Sequence, residues 1–485
     1  MRAKIGGTQI DTLRAARAAI RQEIERRFPS YAQLIDPRPA TIEDTRKALR
    51  PGEALIATYV GRQQSFVWAV PASGAPAFAA VGKGRAQIAD AVANLRKALD
   101  PNAATLGDIP AFDVALASSL YDDLLKPVEA GFSGANSLLV VPHDALGQLP
   151  FGVLVTQATA LAPERANDAL FANYKQVPFL IRKAAITQLP SVASLATLRG
   201  LPVPPANRKA FVGFGDPWFN SEQAAEAKTE QAAQTAQLTT RGLQTRGLKL
   251  VRRNAPATQG VDSAELGLLP RLPDTADEVR GIAMALNADA ADVILGAAAN
   301  EKTVKAMDLS DRRVVMFATH GLIPGDLNGL TQPALALSAP NVADADGDGL
   351  LTLDEVLALR LNADWVVLSA CNTATGDGAG AEAVSGLGRA FFYAGTRALL
   401  VSNWPVETTS ARALTTDLFA RQARDANLAR AEALRQAMAG LIDGPGLVDT
   451  SSNATVFAYA HPIFWAPFTL VGDGGGTARQ QAAVR

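Results

Sequence analysis

One cysteine occurs in this 485-residue chain, Cys371, with three histidines, His143, His320 and His461. Cys371 follows an apolar run, VVLSACN, and His320 ends another, VVMFATHG. A thiol with a pKa of ~8.5 is only a few per cent thiolate at pH 7, and an adjacent imidazole raises that fraction or takes the proton. Strand ends of one parallel sheet emerge at a common edge, where reactive groups collect. His320 as base and Cys371 as nucleophile therefore form a candidate dyad. The backbone N–H groups of Gly321 and Cys371 are candidate donors to the oxyanion of an attacked carbonyl. Taken singly, a cysteine at a strand end is more often inert packing and a histidine there more often structural. The pairing of the sole thiol with an imidazole at matching ends favours chemistry. His143, in Val-Pro-His-Asp, has no nucleophile beside it, and His461 lies among aromatics, so both read as structural.

A second pattern is independent of the first. From Asp344 to Glu355 the chain fits a twelve-residue calcium loop. Asp344, Asp346, Asp348 and Glu355 fill positions 1, 3, 5 and 12, Gly349 fills position 6, and Leu350 would offer its carbonyl at position 7. Ca²⁺ is a candidate modulator on this reading, although the thiol chemistry requires no cofactor. A strand, PALALS, precedes the loop where a helix would be usual. The competing reading is an acidic turn in which Asp or Thr caps a helix over 353–360.

Composition narrows the classes. Lys+Arg is 46 and Asp+Glu 47, a net charge of −1, so the chain lacks the basic excess of a protein built around nucleic-acid phosphates. With 48% hydrophobic and 19% charged residues, a core is expected and wholesale disorder is not. A single cysteine excludes an intramolecular disulfide and a Cys-rich zinc site. The apolar runs are strand-length, short of the ~20 residues of a membrane span. The first residues lack the apolar core and cleavage site of a secretory signal, so a cytoplasmic protein with a reduced thiol is expected.

The elements that must position these residues follow from periodicity. Residues 8–28 show helical spacing (Ile10, Leu13, Ile20, Ile24, Phe28), as a cap on the next domain or the last helix of a longer array. ALIATYV (54–60) and QSFVWAV (64–70) predict a hairpin. Helices are predicted over 85–99 and 112–127, and strands over 137–144 and 179–190. A Pro-rich seam at 201–208 divides the chain. Beyond it, strands at 210–217, 291–295, 313–318, 333–337, 364–369 and 397–402 alternate with helices, which predicts a mostly parallel α/β sheet covered on both faces. The expected division is a helical segment 1–50, a domain 51–205, a domain 206–475 with a flexible insert at 220–255, and a disordered tail 476–485.

The runs VVMFATHGLIPGDLNGLTQPALALS, ADWVVLSACNTATGDGAGAEAVSGLGRAFFYAGTRALLVSNWPVETTS and AHPIFWAPFTLVGD together resemble the CHAT family of caspase-like cysteine peptidases, related to caspases and separase. RPGEALIATYVGRQQSFVWAV and SLLVVPHDALGQLPFGVLV extend the likeness upstream. The resemblance implies an α/β caspase-like fold, with a catalytically silent half before an active one. It implies a Cys–His endopeptidase acting on protein substrates. It also implies a specificity pocket built from Asp216, Ser369 and the Ser402-Asn403-Trp404 segment, where the Asp216 carboxylate would favour a basic residue. Family members work beside helical-repeat recognition regions or regulatory proteins, and some cut an effector protein in bacterial defence. The alternatives are a non-catalytic scaffold of the same fold and a calcium-sensing interaction module. Neither nucleic acid nor membrane is an expected direct partner.

Overall fold

Alternating apolar residues on each central strand feed two separate cores. In a computed structural model, which describes residues 40–101, 103–164, 168–233, 263–324, 326–327, 329–369, 379–448 and 455–475, this alternation builds one large sheet. The chain opens with α1 (Ile42–Ala48), then β1 (Glu53–Val60), β2 (Ser65–Pro71) and β3 (Ala77–Val81). Next come α2 (Arg85–Leu99), α3 (Val114–Leu124), β4 (Ser137–Val141), α4 (Leu180–Lys183), β5 (Ala185–Gln188) and α5 (Val192–Arg199). After the Pro-rich seam follow β6 (Lys209–Gly215), α6 (Ser221–Ala233), α7 (Asp274–Ala285), β7 (Val293–Leu295), α8 (Glu301–Ala306) and β8 (Arg312–Ala318). Three short strands, β9 (Gly321–Leu322), β10 (Ala334–Ala336) and β11 (Leu350–Thr352), are interleaved with α9 (Pro340–Ala343). The remainder is α10 (Leu353–Ala358), β12 (Trp365–Leu368), α11 (Ala379–Ala394), β13 (Ala398–Ser402), α12 (Thr408–Arg424), α13 (Arg430–Asp443), β14 (Leu447–Val448), β15 (Thr455–Phe457), α14 (Pro462–Trp465) and β16 (Phe468–Gly472).

The main sheet has eleven strands in the order β3-β2-β1-β4-β5-β16-β13-β12-β8-β6-β7. The expected hairpin forms, with Tyr59 opposite Phe66, and β3 extends it as a third antiparallel strand. From β13 to β7 every neighbour is parallel. The last strand, β16, enters the middle of the sheet, antiparallel to β13 and parallel to β5. The halves on either side of the 201–208 seam therefore share one sheet, and one hydrophobic cluster runs from Ala54 to Leu470.

On β8, Val314, Met316 and Ala318 face that cluster, while Val315 and Phe317 face a second core. On β12, Trp365 and Val367 divide from Val366 and Leu368 in the same way. This is the period-2 geometry of strands covered on both faces. Phe317 stacks on Phe214 at 5.3 Å and meets Phe391 at 5.8 Å.

Two expectations need correction. The 179–190 run is a helical turn, Leu180–Lys183, before the short strand β5. Its Arg182 forks onto Asp443, a pairing that holds the turn and that local β-propensity does not register. The 333–337 strand lies outside the main sheet, in the order β11-β10-β9. Of the 220–255 insert only 220–233 is described, and it holds helix α6. Residues 1–39, the remainder of the insert and the tail 476–485 lie outside the described residues.

Candidate active site

His320 sits two residues past the end of β8 and is fully buried, with 0% of its surface exposed. Its Nε2 lies 2.7 Å from the Pro270 carbonyl oxygen. A carbonyl only accepts, so a neutral ring carries its proton on Nε2 and presents Nδ1 as the basic nitrogen. Phe219 packs on the ring at 5.7 Å. The backbone around it is pinned: Ala336 N–H donates to the His320 carbonyl at 2.9 Å, and the Thr319 hydroxyl donates to the Ala336 carbonyl. Gly321 begins β9 opposite Leu335, directly after the imidazole.

β12 lies beside β8 in parallel register, Leu368 opposite Phe317. Ser369 is the last described residue before Cys371, and Cys371 lies outside the described residues. Ser369 is buried, and its hydroxyl donates to the Glu278 carboxylate at 3.1 and 3.0 Å. The Thr415 hydroxyl lies 3.3 Å from the same carboxylate and 2.9 Å from the Ala411 carbonyl. The hydroxyl expected in a specificity pocket instead ties the end of β12 to α7 and α12.

Asp216 follows β6, where Gly213 and Gly215 let α7 approach the strand; a Cβ on Gly213 would lie 2.7 Å from the Val279 side chain. Asp216 adopts φ +48°, a left-handed conformation that aspartate tolerates better than most side chains. Both of its oxygens accept from Arg271, each at 2.8 Å. Burial pushes the carboxyl above its ordinary value, and the Arg271 hydrogen bonds and charge pull the other way. The expectation of an open carboxylate for a basic substrate side chain is corrected: a guanidinium of the chain itself occupies it.

Asn403 and Trp404 are likewise interior groups. The Asn403 side chain donates to the Pro467 carbonyl at 2.9 Å and to Thr469 at 2.8 Å. The Trp404 indole donates to Ile463 at 3.2 Å from within the core. Ser402 pairs with Phe468 in the sheet. These residues close the β13–β16 seam and present no side-chain group at the surface.

The acidic loop does not gather its carboxylates. Asp344 caps α9 in a left-handed conformation, and Asp346 points to solvent with Lys302 at 3.9 Å. Asp348 Oδ1 accepts from Leu350 N–H at 2.9 Å. Leu350 itself is paired with Ala336 in β11. Glu355 accepts from Thr352 N–H and hydroxyl at 2.8 and 2.9 Å and from Lys305 at 2.6 Å. The interior of the turn receives Glu301, whose Oε2 accepts from Asp348 and Gly349 N–H at 3.0 and 3.3 Å. Inward N–H groups meeting an anion are the reverse of a cation cage. Among the described residues no three His, Cys, Asp or Glu side chains gather as a metal site. The donor set does not fit Ca²⁺, and the turn is a helix cap.

The other two histidines are structural in form. His143 Nδ1 accepts from Val60 N–H at 3.1 Å. His461 lies 3.2 Å from the Pro110 carbonyl, and burial pushes it down to about 3.

The CHAT domain model matches residues 114–473. The chain belongs to the CHAT domain family. Mouse tetratricopeptide repeat protein 28 is 32% identical over 124 residues, which cover 26% of this chain and 4% of that protein. This CHAT chain thus corresponds to a small fraction of that relative's length. Among solved structures, the Saccharomyces cerevisiae separase–securin complex matches with TM-score 0.43 and 8% identity, covering 96% of this chain and 32% of that one. The complex of Porphyromonas gingivalis RgpB pro- and mature domains matches with TM-score 0.36 and 10% identity, covering 80% and 76%.

Sequence reasoning missed Pro270, Arg271 and Glu278. The first acts through a backbone carbonyl, which carries no residue-type signal. Arg271, between prolines in LPRLPD, had only its isolation as a charge to mark it. Glu278 falls on the apolar face of α7, where an acid at a core position was the available clue.

Proposed function

We propose that this CHAT chain is a cysteine endopeptidase that cleaves protein substrates through His320 and Cys371. The observation that carries the reading is the Pro270 carbonyl on His320 Nε2, which leaves Nδ1 to act as base. The parallel register supports it: Leu368 lies opposite Phe317, and in the sequence Cys371 and His320 each follow three residues later. In this reading Nδ1 takes the thiol proton and the thiolate attacks the scissile carbonyl. The N–H groups of Gly321 and Cys371 receive the oxyanion. The imidazolium then protonates the leaving amine, and water hydrolyses the acyl-enzyme. The half before the seam has no cysteine and is catalytically silent. In the same reading the substrate is delivered by a helical-repeat region or regulatory protein, and is an effector cut in bacterial defence.

The test is a peptide-library cleavage profile of wild type beside Cys371→Ala and His320→Ala. Loss of the base costs ~10²–10⁴ in rate, and the two effects are non-additive. Wild-type cleavage by Cys371→Ala refutes the mechanism. A non-catalytic scaffold is favoured by one observation, the complete burial of His320. It predicts no cleavage by wild type and no labelling of Cys371 by a thiol-reactive peptide.

A further inference from the structure

The Pro270 carbonyl belongs to a short strap, Gly267–Arg271, between the insert and α7. Three side chains at the start of α6 and along it hold this strap. Asn220 donates from Nδ2 to the Gly267 carbonyl at 2.7 Å. Gln223 donates from Nε2 to the Leu269 carbonyl at 2.8 Å, while its Oε1 accepts from Phe219 N–H at 2.8 Å. Glu230 accepts from Arg271 Nη1 at 2.8 Å. The far side of Arg271 is locked by Asp216, which accepts from Nε and Nη2. Leu266 and Leu269 pack with Phe219 and Leu322 beneath. Phe219, which precedes Asn220, also touches the His320 ring. Two carboxylates from different elements thus grip the residue next to Pro270, and α6 with the Asn220 that precedes it touches the strap at three points.

We propose that Arg271 is a positioning residue for His320, and that α6 is the clamp that holds it, the two together fixing the Pro270 carbonyl against Nε2 and so setting the tautomer and aim of the imidazole. Its bearing on catalysis rests on the peptidase reading above, whereas the tautomer does not.

A bidentate fork held on both sides allows its peptide little rotation, and a lysine cannot reproduce that grip. If the strap shifts by an ångström, the carbonyl no longer selects Nε2–H, and the base is misaimed; misplacement on that scale costs roughly 10²-fold in rate. Removing Arg271 alone leaves Asp216 buried and unpaired, so the double variant Asp216→Asn/Arg271→Met is the one to use, with Glu230→Gln as the milder probe.

The experiment uses the full chain labelled with ¹⁵N-histidine, with His320 assigned by His320→Gln. In wild type all three rings show the Nε2–H pattern, since His143 and His461 are held by contacts of their own. In the double variant the His320 signals move to tautomer averaging, while those of His143 and His461 stay in place. Peptide cleavage falls ~10–10²-fold in kcat with KM within about twofold. Glu230→Gln gives a smaller change of the same kind. A pure Nε2–H pattern for His320 in the folded double variant overturns the proposal, as does an unchanged kcat. If wild type cleaves nothing but the tautomer shift appears, the positioning stands and the peptidase reading fails. If the double variant does not fold, Arg271→Lys and Glu230→Gln decide by the same signals.

Discussion

Arg199 and Asp473 meet across the seam between the two halves of the sheet. Arg199 Nε and Nη2 each lie 3.2 Å from Asp473 Oδ1. The other edge of the same guanidinium forks onto Glu53, with both contacts at 2.7 Å. Asp473 is fully buried just past β16, the strand inserted between β5 and β13. Arg50 also bonds both of its carboxylate oxygens, at 3.1 and 3.2 Å, and Arg430 donates to Oδ2 at 3.3 Å. One carboxylate therefore ties the segment before β1, the end of α5 and the start of α13 to the last strand.

Asp473→Asn is expected to destabilise the chain by about 3–5 kcal/mol, because it leaves buried guanidiniums short of the charge they bond. Urea unfolding reads this as a lower midpoint with an unchanged slope. A loss below about 1 kcal/mol would show that the network contributes nothing to the seam.

Acid should act in two windows. Burial alone would raise the Asp473 carboxyl, but the guanidiniums of Arg430, Arg199 and Arg50 outweigh it and hold it well below the usual carboxylate range. A carboxyl depressed on folding contributes stability that is complete above its unfolded pKa of ~3.9 and is lost as pH falls further. His461 is held neutral by burial, at about 3 against an ordinary 6.5, so its contribution is full above ~6.5 and is lost as pH falls from there. Urea midpoints from pH 7.5 to 2.5 should fall first below ~6.5 and again below ~4. Asp473→Asn should shrink the second fall and leave the first in place, the remainder coming from other carboxyls held low on folding, Glu129, Glu355 and Glu432 among them. A variant curve parallel to wild type through that window would exclude Asp473 as its source.

Much of this architecture is written in local pattern. The β1–β2 hairpin, β8, β12 and β13 follow from alternation and apolar runs, and His320 at a strand end follows from its place in VVMFATHG. The joining of the halves does not, because β16 pairs with partners more than 60 residues away on one side and more than 280 on the other, and no local period records such pairing. The anchoring of His320 on Pro270 is hidden for a different reason, since any residue offers a carbonyl. The acidic loop carries two signals in the same letters. Thr352-Leu-Asp-Glu355 has the residues of a capping box as well as the end of a calcium pattern, and the half in which Glu355 accepts from Thr352 N–H forms. It needs only local geometry, whereas the cage needs four carboxylates brought together against their repulsion.

Glu355→Gln should therefore cost little, since an amide oxygen still accepts from Thr352, while Glu355→Ala should cost about 0.5–2 kcal/mol through the lost cap and the lost Lys305 pair. Millimolar Ca²⁺ should leave the melting temperature of wild type unchanged. A Ca²⁺-dependent rise that disappears in Glu355→Gln would restore the cation site and overturn the capping reading.

The end of β12 offers a test that separates structure from chemistry. Glu278 is fully buried, Ser369 donates to its carboxylate, and the Thr415 hydroxyl lies 3.3 Å from it. A hydrogen bond to a charged group contributes about 1.5–3 kcal/mol, so Ser369→Ala should destabilise by that order. Glu278→Gln removes the charge that makes the contact strong, so Ser369→Ala in that background should cost about 1 kcal/mol or less. The coupling from the double-mutant cycle is then about 1–2 kcal/mol. Because Ser369 lies two residues before Cys371 in the sequence, loosening this anchor should also lower kcat more than it raises KM. Additive stability losses would mean that Ser369 and Glu278 are neighbours without being partners. An unchanged kcat in a destabilised Ser369→Ala would confine the contact to folding.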